Sequence, residues 1–179
     1  MHFEDEAVAP SSIYGEMKAL SEAGVVKWGG CVVRISWVFG PEKKAFVDAV
    51  MEKALAGESL AAVADKTSLP CYTVDLVEWV AGLIDLGCPN GVVNACQGGD
   101  PVSWHGMAEE VLNTLVEKGA LKERPVVARQ LLQEMGGFRA VRPRHTALGT
   151  AKLAGLLGRA PRNWKEALRE YLIQSLISR

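Results

Sequence analysis

Apolar positions along this chain recur with a helical period in four places. Phe46, Val47, Val50, Met51, Ala54 and Leu55 share such spacing, and the segment opening at Pro41 and closing at Gly57 is expected to hold a helix. Thr73 is placed to cap a second helix carrying Leu76, Val77, Val80, Leu83 and Ile84 on one face and stopping at Gly87. Ser103 is placed to cap a third, with Met107, Ala108, Val111, Leu112 and Leu115 facing inward and Gly119 as its stop. Asn163 followed by Glu166 has the pattern of a capping box. The helix it opens sets Trp164, Ala167, Leu168, Tyr171, Leu172 and Leu176 on one stripe, more suited to a core than to a membrane surface.

Between these periodic stretches lie short apolar runs rich in β-branched residues. Residues 31–39, bounded by Gly30 and Gly40, are expected to form one buried strand. Residues 59–64 and 91–95 carry weaker strand signals. Helices alternating with short buried strands predict an α/β fold with some parallel sheet. Organisation is poorest between Gly119 and Arg144, where Pro125, Gly136, Gly137 and Pro143 interrupt any period. There is no internal repeat, low-complexity tract or linker long enough to separate domains.

Composition narrows the function classes. Apolar residues are 49% of the 179 and charged residues 23%, values of an ordinary globular chain. Twenty Lys plus Arg against 21 Asp plus Glu leave a net charge of −1, which offers a nucleic acid or an anionic membrane no broad attraction. The apolar runs are far short of the roughly 20 residues of a spanning helix. The first residues, Met1 to Glu6, are acidic rather than leader-like. These features imply a soluble, cytoplasmic chain with no nucleic-acid or membrane partner.

Cys31, Cys71, Cys88 and Cys96 lie far apart without C-x-x-C spacing, and there are three histidines, so no metal site is expected. Each cysteine lies in or beside an apolar run and reads as a small hydrophobe, Cys71 the least securely because it falls in a loop. His105 and His145, each near an expected helix start, read as structural.

Chemistry enters with Tyr14 and Lys18. Four residues apart, they share a helix face, one turn from each other. A neighbouring ammonium favours the ionised form of a phenol, which suits a tyrosine that exchanges a proton with a substrate oxygen. By itself Y-x-x-x-K also describes many ordinary surface pairs.

The surrounding residues extend the pattern. Pro10 through Glu22 resembles the P-x-x-x-Y-G-x-x-K-x-x-x-E segment of the extended short-chain dehydrogenase/reductases. Arg34-Ile35-Ser36-Trp37-Val38-Phe39-Gly40 resembles a strand of one subgroup, the dTDP-4-dehydrorhamnose reductases. Further matches follow in order: Phe46-Val47, the loop Val63 to Pro70, Gly91 to Asn94, and Ser103-Trp104. Arg142-Pro143 with Leu148 and Lys152-Leu153, then Asn163-Trp164 with Ala167-Leu168, complete a resemblance that runs from about Glu4 to the C-terminus.

The resemblance implies the C-terminal remainder of a Rossmann-type fold plus a small mixed substrate-binding lobe. Residues 1–57 would end the Rossmann part and 58–179 would form mainly the lobe. It implies reduction of the 4-keto group of dTDP-4-dehydro-L-rhamnose by NADPH or NADH, giving dTDP-L-rhamnose. Tyr14 would protonate the ketone oxygen, and Lys18 would hold the nicotinamide ribose and ease ionisation of the tyrosine. Trp37 matches an aromatic beside the sugar, and equally reads as a large core residue at a strand end. Arg34 reads as the partner of a buried carboxylate. Arg142 and Arg144, flanking a rigid proline, either clamp a nucleotide diphosphate or belong to a surface loop.

Dinucleotides in this fold rest on a glycine-rich first βα turn, and these 179 residues hold no G-x-G-x-x-G or G-x-x-G-x-x-G stretch. The resemblance therefore places the dinucleotide-binding strands, and a Ser or Thr that polarises the ketone, upstream of Met1. That implies a chain inactive alone, which binds no cofactor alone and associates with an N-terminal half or a second copy. Departures from the family pattern are Lys66 for Gln, Ser68 for Gly, Cys71 for Thr, and Ala45 for an Asn before Phe46. A second reading is a non-catalytic regulatory relative, akin to the beta subunit of methionine adenosyltransferase.

Overall fold

A computed structural model of the chain describes residues 1–136 and 142–178. Gly137, one of the expected breaks, lies outside the described residues, as does Arg179. Helix α1 (Ile13–Lys27) starts where the Ser12 hydroxyl accepts the Gly15 N–H at 3.2 Å, and none of its residues is buried. Strand β1 (Cys31–Ile35) runs parallel to β6 (Gly91–Ala95), with Cys31 opposite Gly91 and Ile35 opposite Ala95.

The stretch 31–39 is two strands, not one. The chain leaves β1 at Ser36 and Trp37 and resumes as β2 (Val38–Phe39), which pairs in parallel with β5 (Cys71–Tyr72). Phe39 is buried, whereas β1 is only half-buried and Ile35 is 48% exposed. One edge of β1 carries β6, and no described strand lies on its other edge, so the ladder is two strands wide there.

Helix α2 (Phe46–Leu55) begins at Phe46 rather than at Pro41, which lies in a turn. Asp48 sets that start: its carboxylate accepts the Ala45 N–H at 2.8 Å. Strand β3 (Leu60–Val63) pairs in parallel with β8 (Val127–Gln130), a strand inside the stretch whose sequence has the poorest periodic organisation. The two-residue strands β4 (Thr67–Ser68) and β7 (Val102–Ser103) pair antiparallel. Helix α3 spans Thr73–Asp85, with Thr73 as its first residue and not its cap. A Cβ at position 40 would lie 1.8 Å from the Thr73 hydroxyl oxygen, so the β2–α3 approach requires Gly40. The buried face of α3 is Asp75, Trp79 and Leu83, while Val77 and Ile84 are 68% and 59% exposed. Apolar residues lie on more than one side of this helix, and its neighbours α5 and β5 choose which side is covered.

Helix α4 (Trp104–Glu117) forms as expected, the Ser103 hydroxyl accepting the Gly106 N–H at 3.0 Å and Met107, Ala108, Val111, Leu112 and Leu115 fully buried. Helices α5 (Ala151–Leu157) and α6 (Trp164–Ile177) complete the chain, α6 capped by Asn163 Oδ1, which accepts the Lys165 N–H at 2.9 Å. Its expected stripe docks: Trp164, Ala167, Leu168, Tyr171 and Leu172 are buried. The core lies where α4 packs on α2, α6 and β3. Each fully buried Leu there contributes about 2 kcal/mol.

Cys71 lies in β5 rather than a loop; it and Cys96 are fully buried, and burial pushes both thiols up to about 12. Cys88 departs from the expected burial, sitting exposed at φ 53° in the turn before β6. His105, second in α4, is buried with Nε2 3.1 Å from the Val127 carbonyl oxygen. His145 starts no helix; it bridges to Thr67. Among the described residues no cluster of His, Cys, Asp or Glu could hold a metal, and no helix is long and apolar enough to cross a membrane.

A buried phenol links two core helices. Tyr171 Oη donates to Asp48 Oδ1 at 2.5 Å, and burial, then this carboxylate, raises the phenol's pKa from 10.0 to about 12. The folded chain therefore holds this proton more tightly than the unfolded one. The resulting stability is complete below pH 10 and fades as pH rises through about 12. Tyr171→Phe is expected to cost about 1–2 kcal/mol at neutral pH and to remove this alkaline component. Urea unfolding of both proteins across that range measures it; parallel pH profiles would contradict the assignment.

Candidate functional site

The residues singled out from the sequence fall into two groups. On α1, Tyr14 and Lys18 do share one face, the ammonium 5.6 Å from the centre of the phenol ring. Tyr14 is 71% exposed and Lys18 is exposed with it. The helix is held by its other side, which packs on β1 and β6. Arg34 on β1 fixes it there through Glu22, Nε to Oε2 at 2.8 Å and Nη2 to Oε1 at 2.5 Å, so Arg34 has a carboxylate partner, half-buried rather than buried as expected. The Glu22 hydrogen bond, outweighing burial, raises the guanidinium's pKa further, so this anchor stays charged at any working pH.

The second group surrounds the short β4–β7 pair. Trp37 leaves the break between β1 and β2 and meets Phe46 at the start of α2 and Trp104 at the start of α4. The three ring centres lie 5.5, 5.7 and 5.6 Å apart, within the range of favourable tilted contacts. All three rings are half-buried, so each is both packed and partly open. Ser36, beside Trp37, places its hydroxyl oxygen 2.5 Å from that of Ser68 on β4.

On the other side of β4 lies a cationic segment. Arg144 pairs with Asp65 at 3.6 Å, and Asp65 also accepts the Leu132 N–H at 2.7 Å. Lys66 is buried and donates from Nζ to the Pro143 carbonyl at 2.7 Å. Burial, and then the charge of Arg142, lower its pKa. His145 Nδ1 lies 2.8 Å from the Thr67 hydroxyl, and its ring is 5.6 Å from that of His2. Burial, then the chain's own N-terminal charge, His2 and Lys66, lower its pKa, leaving the imidazole uncharged at neutral pH.

The structure thus brings Trp37 and Arg144 around one strand pair, with Arg142 beside Lys66, and keeps Tyr14 with Lys18 on a separate helix. Phe46, Trp104, Lys66 and His145 share the β4–β7 region although the sequence did not single them out as binding residues. For Lys66 a signal existed, a cation in a position where the resembled loop carries an amide. Two clefts lie elsewhere: 530 Å³ lined by Phe3, Glu4, Asp5, Val92 and Lys152, and 300 Å³ between α3 and α6.

The exposed face of α1 carries a phenol and an ammonium, and neither described strand of the β1–β6 pair runs into a glycine-rich turn and a helix. After β6, Gly98 and Gly99 are occupied by the chain itself. The Gly98 N–H donates to the Arg162 carbonyl at 2.8 Å, and a Cβ on Gly99, at φ 106°, would lie 2.8 Å from Asn163. That turn receives the N-terminus of α6.

The model of the RmlD substrate binding domain family matches residues 1–177. The spore coat polysaccharide biosynthesis protein SpsK of Bacillus subtilis is 30% identical over 94% of this chain and 56% of its own length. The dTDP-4-dehydrorhamnose reductase of Mycolicibacterium smegmatis is 32% identical over 93% of this chain and 50% of its own. The chain spans about half the length of these curated relatives. Among solved structures, a dTDP-4-dehydrorhamnose reductase from Clostridium acetobutylicum superposes with a TM-score of 0.82 at 26% identity, covering 99% of this chain and 60% of that one. The enzyme of the same name from Bacillus anthracis, in complex with NADP, gives 0.81 at 24% identity over 96% and 59%, a likeness of fold.

Proposed function

Because this chain belongs to the RmlD substrate binding domain family, we propose that it is the substrate-binding portion of an NAD(P)H-dependent reductase of dTDP-4-dehydrorhamnose or a closely related keto-sugar nucleotide. The observation that carries the reading is the Tyr14–Lys18 pair, held outward on α1 in a chain that matches this family over residues 1–177. NADPH or NADH, when bound, supplies the hydride that reaches the carbonyl carbon. Tyr14 Oη then gives its proton to the carbonyl oxygen, so the ketone becomes a hydroxyl and the phenolate left behind faces the Lys18 ammonium. The Trp37, Phe46 and Trp104 rings offer an apolar wall for the sugar or base, and Arg142 and Arg144 offer cations to the diphosphate.

In this reading the chain works with a dinucleotide-binding half, and alone it does not turn over. The test is to supply that half from the Mycolicibacterium smegmatis relative, fused or co-expressed, and to follow NADPH absorbance with the keto-sugar nucleotide. Consumption that requires both parts is the expected result. Its absence from a folded, stoichiometric assembly would refute the reductase reading. Co-purification with an unrelated enzyme whose rate this chain alters would favour the regulatory one instead.

A further inference from the structure

Lys66 is costly where it stands. Its side chain is buried, its ammonium has three N–H groups, and among the described residues one acceptor, the Pro143 carbonyl at 2.7 Å, receives one of them. Arg142 is close enough that its charge opposes that of Lys66. Asp65, the preceding residue, is already engaged by Arg144 and by the Leu132 N–H. A glutamine also carries an N–H donor and would bury no charge beside another cation.

We infer that Lys66 is an anion-reading residue: with Arg142 and Arg144 it binds a phosphate oxyanion of the ligand at the edge of the β4–β7 pair. This rests on the proposed nucleotide-sugar reading for the source of the phosphate, and on the geometry alone for the anion. An incoming oxyanion takes up the remaining ammonium protons and relieves the repulsion between Lys66 and Arg142. The Trp37–Phe46–Trp104 wall adjoins the same strand pair, joined to it through Ser36 and Ser68, whose hydroxyls also reach the Thr146 carbonyl. A ligand carrying both a phosphate and a ring system would meet both.

The experiment is calorimetric titration of the 179-residue chain with thymidine diphosphate, inorganic pyrophosphate and thymidine, each at low and high salt. Lys66→Gln keeps an N–H donor and removes the charge; Lys66→Arg keeps the charge. Lys66→Gln is expected to weaken thymidine diphosphate binding roughly tenfold and to flatten its salt dependence. Lys66→Arg should stay within about threefold of the parent. Melting temperatures matched to the parent's exclude misfolding. If Lys66→Gln binds the diphosphate as tightly as the parent, the assignment fails while the nucleotide-sugar reading stands. If pyrophosphate binds in a Lys66-dependent way and the nucleotide gains nothing over it, the anion site stands and the nucleotide reading loses its support. Binding of neither probe by the parent overturns the assignment.

Discussion

Tyr14→Phe, made in the chain supplied with a dinucleotide-binding half, is expected to lower keto-sugar reduction by about 10²–10⁴-fold and to leave the melting temperature unchanged. The two halves of that expectation have separate causes. Tyr14 is 71% exposed on a helix with no buried residue, so its ring contributes little to the fold. Phenylalanine keeps the ring over which Lys18 sits at 5.6 Å and removes only the O–H. Whatever is lost is therefore proton donation and not packing. Steady-state NADPH consumption and a thermal melt measure the two quantities independently. A variant retaining more than about a tenth of the parent rate would show that some other group protonates the ketone.

The largest expected effect on stability lies at Arg162. Its guanidinium holds Asp75 with two parallel bonds, Nε to Oδ2 at 2.8 Å and Nη2 to Oδ1 at 2.9 Å, and donates from Nη1 to Glu170 at 2.6 Å. Asp75, buried in the first turn of α3, also accepts from Gln97 Nε2 at 2.6 Å, and the fully buried Gln97 accepts the Tyr72 N–H at 3.1 Å. Arg162 thus joins α3, α6, the end of β5 and the turn after β6. Glu170 and then Asp75 raise the guanidinium's pKa, so it is charged wherever the chain is folded. Arg162→Ala leaves the Asp75 carboxylate buried without its cation, at a cost of about 3 kcal/mol. For a chain of this length the melting temperature should fall by roughly 10 °C. Arg162→Lys should recover part of that, since a point charge replaces a fork. Urea unfolding decides: a loss under about 1 kcal/mol would mean that solvent already screens the pair.

Particular elements show how far the sequence could be followed. α4 and α6 were legible because each combines a capping side chain with one unbroken apolar stripe, so local and tertiary preferences agree. α3 has apolar residues on several sides, and nothing local says that Trp79 and Leu83 turn inward while Val77 and Ile84 face out. Residues 31–39 have strand character throughout, but pairing splits them, the first part going to β6 and the last to β5. β8 carries almost no periodic signal and exists because β3 offers it an edge.

The candidate site divides in the same way. Spacing alone put Tyr14 and Lys18 on one helix face, because the α-helical repeat is a local property of the backbone. The Trp37–Phe46–Trp104 triangle, the Tyr171–Asp48 bond and the meeting of Lys66 with Pro143 join residues far apart in the chain. What the sequence by itself determined was which segments become helices and strands, which stripes seek a core, and the ordered motifs that mark the family. Only the tertiary structure decided which strands pair, which apolar faces stay uncovered, and that a buried ammonium meets the Pro143 carbonyl within reach of the Arg142 charge. Helical period and capping act over a few residues, whereas burial and charge pairing depend on partners that only the folded chain brings within reach.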